Sequence, residues 1–427
     1  MKSGPLGRRE FVCMTGALLT APLASPLVAA AVRLSRVSAN DRIGLGLIGM
    51  GVQNRYHLGR FLNMSGVEVR AVCDVDTTRR EHAHAKVVEK RGSDCGMYND
   101  YRDLIARDDV DAVVISTPDH WHAIQVIDAC RAGKDIFCEK PLSFTLHESR
   151  VMIEAVRKHG RVLQTGSQQR SEYGHRFVTA CEYVRNGRIG EVLNVNVGVG
   201  HAPMWCDLPE ETMEPGLDWD RWLGPAPMRP YHSALSPRGV HGHYPTWRGY
   251  REYAGGYLAD MGAHHFDIAQ WGLRADETGP IEVVPPIEPH AMYGASLRYG
   301  NGAVVTHGGP SGTTFIGTQG MIHVDRGRLV SVPESILEKP LDESDERLPR
   351  HADHYVDWLD CLRTRAKPIC DVEIGARSAA VCHLLNLAYW HRRPLKWNPQ
   401  TWAFEGDHEA DGWRDYDRRT GYELPVV

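Results

Sequence analysis

Two titratable residues spaced one helical turn apart, Asp260 and His264, and a lysine at a strand end, Lys140, are the side chains whose types and positions suit chemistry. The segment 255–267 opens a helix that runs through Trp271, so residues four apart project from the same face. An imidazole titrates near neutrality and suits the removal of a hydroxyl proton. The carboxylate one turn earlier is placed to orient that ring or to share its proton. Lys140 follows the apolar strand Asp135–Cys138 within Glu139-Lys140-Pro141 and offers an ammonium to a reacting oxygen that gains alkoxide charge. Proton acceptor and charge stabiliser together suit oxidation of a secondary alcohol, with hydride leaving to a nicotinamide. The structural alternatives are a solvated lysine before a turn proline and a helix histidine satisfied by its neighbours; His265 points elsewhere and reads as packing. His241-Gly242-His243 and His264-His265 repeat no ligand spacing, so no metal site is expected.

Positioning these groups requires a dinucleotide-binding frame, and 41–76 supplies one. Residues 42–48 read as a short strand buried on both faces. Gly49-Met50-Gly51 turns the chain, Val52 opens a helix, and the strand Val67–Cys73 ends at Asp74. Gly49 permits the tight turn, Gly51 lets backbone approach a pyrophosphate, and the helix start offers free N–H groups to that anion. Gly44 to Gly49 also matches G-x-G-x-x-G but lies inside the strand. In the preferred register Asn54 takes the third glycine position, which predicts slightly looser helix packing. Asp74 lies 23 positions beyond Gly51, near the ~20 expected of a ribose-binding acid. A carboxylate there favours NAD over NADP.

Strands and helices then alternate: helices over 79–90, 98–105, 119–133 and 146–159, strands over 110–116, 135–138 and 161–166. That order implies a doubly wound parallel sheet, whose ligands sit beyond the carboxyl strand ends. Asp74, Thr117-Pro118-Asp119-His120-Trp121-His122, Glu139-Lys140 and Ser167-Gln168 all fall there, with Asp119 placed to cap the following helix.

Gly-x-Gly, Thr117-Pro118-Asp119-x-x-His122, Glu139-Lys140-Pro141 and Asp260-x-x-x-His264, in that order, resemble the Gfo/Idh/MocA oxidoreductases over most of the chain. The resemblance implies a Rossmann domain followed by an α/β domain with a large open, mostly antiparallel sheet that often buries its face in a homo-oligomer. It implies that Lys140, Asp260 and His264 meet nicotinamide and substrate. It also implies cofactor contacts from Gly49, Gly51, Val52, Asn54, Asp74, Thr117, Pro118, His120, His122, Glu139, Lys140 and Gln168. Asp119 departs from the family, which more often has Asn there.

The chain's 427 residues divide on this reading into a leader 1–31, an NAD-binding domain 40–170, a substrate and oligomerisation domain 171–396 and a tail 397–427. Gly7-Arg8-Arg9-Glu10-Phe11-Val12, followed by an apolar stretch broken by Pro22 and Pro26 and by Ala29-Ala30-Ala31, reads as a twin-arginine export signal. A periplasmic or otherwise exported enzyme is expected, with no membrane insertion once the signal is removed. The formal net charge of -5, without a basic run, argues against nucleic acid as a partner. Nine of the ten cysteines lie beyond the leader, scattered without C-x-x-C pairs, and read as buried thiols.

In the second half, helices are expected over 177–188, 351–365 and 373–391, and strands over 191–199, 292–298, 302–308, 313–317 and 320–324. The long segment 200–252 carries Trp205, Trp219, Trp222 and Trp247, whose indole faces suit a sugar ring or anchor the loop. The activity expected first is NAD-dependent oxidation of a ring hydroxyl of a sugar, glycoside or cyclitol, with the cofactor tightly held because exported NAD is not regenerated. The alternative is a glycosidase that oxidises transiently, eliminates, hydrates and re-reduces on one bound NAD. The glycosidase branch resembles this chain less, because it lacks the Glu-Lys-Pro lysine that Lys140 supplies. A catalytically dead binding module is disfavoured by Lys140, Asp260 and His264 occurring together.

Overall fold

A computed structural model describes residues 42–92 and 94–427; the expected leader and twin-arginine signal lie outside them. The first domain alternates β1 (Ile43–Ile48), α1 (Val52–Phe61), β2 (Val67–Cys73), α2 (Thr77–Arg91), β3 (Gly96–Tyr98), α3 (Tyr101–Ile105), β4 (Ala112–Ile115), α4 (Asp119–Arg131), β5 (Asp135–Cys138), α5 (Leu146–Lys158) and β6 (Leu163–Thr165). Its strands form a parallel sheet in the order β3-β2-β1-β4-β5-β6, the doubly wound Rossmann arrangement that opens its ligand crevice beyond β1 and β4. Leu45, Leu47, Val113, Val114 and Phe137 are fully buried, as continuous apolar runs in a two-sided sheet must be.

The second domain comprises α6 (Arg176–Arg185), β7 (Val192–Gly198), α7 (Trp219–Leu223), α8 (Gly256–Gly272), β8 (Glu282–Val284), β9 (Ser296–Arg298), β10 (Val304–Gly317), β11 (Gly320–Val324), β12 (Leu329–Val332), α9 (Ser335–Glu338), α10 (His354–Thr364), α11 (Val372–His391), β13 (Leu395–Asn398), β14 (Ala403–Phe404) and α12 (His408–Gly412). Its sheet is largely antiparallel. Thr306 and Thr314 both pair with Asn196, and Val305 and Phe315 both pair with Val195. The chain of β10 therefore doubles back and β7 lies between its two limbs, which correspond to the two strands expected at 302–308 and 313–317. Gly308, Gly309 and Gly312 make that reversal at φ values of 140°, 93° and 119°, outside the range of most L side chains.

One expectation is corrected, and two segments make contacts that chain order does not show. The residues after Gly96 form a strand before the expected helix, because β3 is too short to carry a period. Helix α10 of the second domain also closes the first: its Tyr355 and Trp358 pack with Phe61 and Phe137 beneath the first sheet. Residues 397–427 are no appendage, since β13 pairs with β8 and the last turn returns to the first domain, with Tyr422 edge-on to Trp121 at 5.5 Å.

Candidate active site

At the end of β1 the chain enters the Gly49 turn at φ 81°. A Cβ on Gly49 would stand 2.9 Å from Thr117 Cγ2 and 3.0 Å from the Thr117 nitrogen, so glycine alone lets this turn pass so close to the end of β4. Gly51 caps α1 without a side-chain hydrogen bond, no acid occupies the first turn, and a Cβ there would touch nothing within 4 Å. The N–H groups of that turn are thus open to an anion. The Asp74 Oδ2 accepts from the Met50 N–H at 2.6 Å and Oδ1 from the Asp76 N–H at 2.8 Å. Burial pushes this carboxyl upward. It fastens the glycine turn to β2 and retains lone pairs toward the crevice it lines.

The segment after β7 covers this crevice. Trp222, Leu235, Tyr244 and Trp247 form its outer wall; Arg79 reaches the Gly239 carbonyl at 3.3 Å, and Arg55 donates to the His241 carbonyl. Trp219 and Trp222 stack at 4.7 Å in a small core with Tyr231, Leu235 and Tyr253, while Arg251 sits 3.9 Å from the rings of both Trp205 and Trp390. Of the four tryptophans, Trp219 and Trp205 anchor the loop; Trp222 and Trp247 line the crevice.

A second cleft of about 430 Å³ continues from the first. Gln53, Thr117, Tyr244 and Trp247 contribute to both walls. Lys140 Nζ donates to Asp260 Oδ1 at 2.7 Å and to the Asp260 carbonyl at 2.9 Å, and Arg248 Nε lies 3.5 Å from the same Oδ1. His264, one turn further along α8, lines the same cleft and is 3% exposed; its Nδ1 has no hydrogen-bond partner among the described residues. Asp260 therefore does not orient the imidazole, contrary to expectation: its carboxylate is taken by the two cations.

Glu139, deeper in the wall, gathers His57 Nε2 at 2.9 Å, Gln53 Nε2 at 3.0 Å and Gln168 Nε2 at 3.4 Å on Oε1, and the Lys140 N–H at 3.2 Å on Oε2. His57 Nδ1 in turn meets the Tyr355 hydroxyl at 2.8 Å.

Electrostatics separate these groups. Burial raises the Glu139 carboxyl, but the His57 hydrogen bond and charge outweigh it and hold it at about 2. Burial likewise opposes ionisation of Asp260, and Lys140 and Arg248 overcome it, keeping the pKa low. At Asp119 the same cations are outweighed: burial, then the charge of Asp260, push it up to about 8. Burial and the nearby Lys140 charge hold His264 well below its ordinary value, so at neutral pH its imidazole is unprotonated.

The structure brings Gly49, Gly51, Val52, Asp74, Thr117 and Pro118 to the first crevice, and Thr117, Glu139, Lys140, Gln168, Asp260 and His264 to the second. Asn54, His120 and His122 stand behind them. Asn54 Nδ2 donates to the Ile48 carbonyl at 3.0 Å, tying α1 to β1 and not loosening it. His120 is wedged against the Tyr253 and Trp222 carbonyls, and His122 bridges those of Thr117 and Pro141 at 2.9 Å each; burial lowers both rings. Asp119 is not a cap but the first residue of α4, accepting from the Gly255 N–H at 3.3 Å. Arg248, Arg326, Tyr56, Glu172 and Tyr173 also line the second cleft. No motif marks them, and only the arginine beside Trp247 stood in a segment singled out by its composition.

A family model described as an oxidoreductase family with an NAD-binding Rossmann fold matches residues 43–167, and its companion, the family's C-terminal alpha/beta domain, matches residues 183–424. An alpha-N-acetylgalactosaminidase of Shewanella oneidensis is 32% identical over 216 residues, 46% of this chain and 47% of that protein; the chain spans less than half the length of the curated relatives it matches. Among solved structures, the WlbA dehydrogenase of Bordetella pertussis in complex with NADH and UDP-GlcNAcA superposes with TM-score 0.59 at 21% identity, over 83% of this chain and 98% of that one. The aldose-aldose oxidoreductase of Caulobacter crescentus gives 0.57 at 20% identity, over 83% and 99%. These structural likenesses concern the fold.

Proposed function

The chain belongs to the Gfo/Idh/MocA oxidoreductase family, and on that premise we propose that it moves a hydride between a ring hydroxyl of a sugar, glycoside or cyclitol and a tightly held NAD. The observation that carries this reading is the Lys140–Asp260 pair at 2.7 Å in one cleft with the unpartnered His264, continuous with the open glycine turn. The bare first turn of α1 and the clearance at Gly51 fit a pyrophosphate, and the lone pairs of Asp74 fit a ribose diol. A bound nicotinamide would supply the hydride acceptor. His264 takes the hydroxyl proton at a ring nitrogen. Lys140 donates to the oxygen that loses it, held in place by Asp260 and freed of rotamer choice by Arg248 behind that carboxylate.

A second reading has its own support: relatives at 30–32% identity are named glycosyl hydrolase family 109 proteins and alpha-N-acetylgalactosaminidase. On that reading the same groups oxidise a sugar transiently, so that a neighbouring glycosidic bond is lost by elimination before water adds and the carbonyl is reduced again. Arg8-Arg9 and the apolar stretch after them support twin-arginine export of the folded, loaded protein. The exposed apolar side chains Met321, Val330 and Val332 on the second sheet support a homo-oligomer through that face.

Purified protein assayed for co-purifying NAD and then given a panel of sugars and aryl glycosides tests these readings. Lasting NADH absorbance marks the dehydrogenase, and aglycone release without net NADH marks the glycosidase. Protein that binds NAD but does neither refutes both.

A further inference from the structure

The second cleft carries groups that proton and hydride transfer do not use. Arg326 stands in the turn between β11 and β12, which Asp325 stiffens by accepting from the Gly327 and Arg328 N–H groups at 2.7 and 2.8 Å. Its Nε donates to Gln169 Oε1 at 3.1 Å, and its guanidinium lies 5.0 Å from the centre of the Tyr173 ring. Among the described residues it has no carboxylate partner. The other cations of the cleft are committed, Lys140 and Arg248 to Asp260.

The backbone beneath is unusual. Tyr173, Gly174 and His175 are left-handed in succession, at φ 60°, 64° and 58°. Two of the three carry side chains that disfavour that region, and such strain persists only where surroundings enforce it. Here Arg176 Nη1 donates to the Tyr173 carbonyl at 2.7 Å. The result turns the Tyr173 ring into the cleft wall beneath Arg326. Of the acids near Arg326, Asp325 is taken up by the turn's own N–H groups, and burial raises the carboxyl of Glu172, so it opposes an anion less than an ordinary carboxylate would.

We propose that Arg326, braced by Gln169 and backed by Tyr173, is a subsite for an anionic substituent of the sugar, a carboxylate or a phosphate ester, on the side of the cleft where the same Gln169 donates to the His264 carbonyl at 3.3 Å. A planar guanidinium with free donors matches either group. The proposal rests on the oxidoreductase reading for the identity of the bound sugar, but it is tested by binding alone. NAD-loaded protein is titrated calorimetrically with glucose, glucuronate and glucose 6-phosphate. At least one anion is expected to bind roughly tenfold or more tighter than glucose, in keeping with a charged hydrogen bond, and the preferred one names the substituent. Arg326→Gln should bring that ratio to within about twofold of one, while Arg326→Lys retains part of it; NAD affinity checks that each variant is folded. Equal binding of all three sugars, no binding of either anion, or a preference that survives Arg326→Gln overturns the subsite. Failure of the protein to bind NAD at all instead sinks the oxidoreductase reading.

Discussion

The surroundings of His264 disfavour the imidazolium, so the ring rests unprotonated at neutral pH, at a cost in basicity. With burial and Lys140 lowering its pKa, the acidic limb of a kcat/KM profile should fall below pH 6.5, the midpoint of an unperturbed imidazole. Lys140→Ala and His264→Ala should each reduce turnover by about 10²-fold or more while NAD affinity, read by cofactor fluorescence, changes little. Asp119 gives the opposite kind of pH signature. Its folded pKa of about 8 lies above the ordinary aspartate value, so the stability it contributes in acid is lost as pH rises from about 4 through 8. Asp119→Asn should therefore gain thermal midpoint relative to wild type progressively across that window and no further above it. Spacing announced that Asp260 and His264 share a helical face. It was silent on which neighbour each would meet, because Lys140 arrives from a strand 120 residues earlier.

Helix α8 carries both site residues, and its setting depends on a buried cluster rather than on propensity. Arg170, 2% exposed, forks onto Asp267 at 2.8 Å through both Nε and Nη2 and reaches Asp276 at 2.7 Å, with its guanidinium 4.7 Å from the Trp271 ring. Ser378 of α11 donates to the same Asp267 at 2.9 Å. Arg170→Met should cost about 3–5 kcal/mol in denaturant unfolding, since it strands two acids, one of them fully buried; restoring Asp267→Asn in that background should recover part of the loss. The parallel strands were legible because burial on both faces makes them unbroken apolar runs such as Ala112–Ile115. The short strands β8, β12, β13 and β14 were not, because two to four residues show no period. The Gly308–Gly312 reversal could be read from its glycines and Pro310, but that β7 fills the space between the limbs depends on contacts made more than a hundred residues away.

At the scale of the molecule, the exposed apolar residues of the second sheet form a ready contact surface: Met321 and Val332 pair across β11 and β12, both exposed. Met321→Glu with Val332→Lys should lower the mass seen by light scattering if that face joins subunits, and an unchanged mass would remove it from consideration. Sequence order suggested two consecutive domains and a tail, and a linear reading cannot reveal that α10 closes the underside of the first sheet or that Arg418 returns to a buried Glu148 at 2.7 Å. The placement of α10 has a consequence for biosynthesis. When a ribosome has delivered the whole parallel sheet, the aromatic rings of Tyr355 and Trp358 that seal it are still nearly two hundred codons from being translated. A 40–170 fragment should thus bind a hydrophobic dye and fail to bind NAD in a fluorescence titration, because the aromatic seal beneath its sheet has yet to be made.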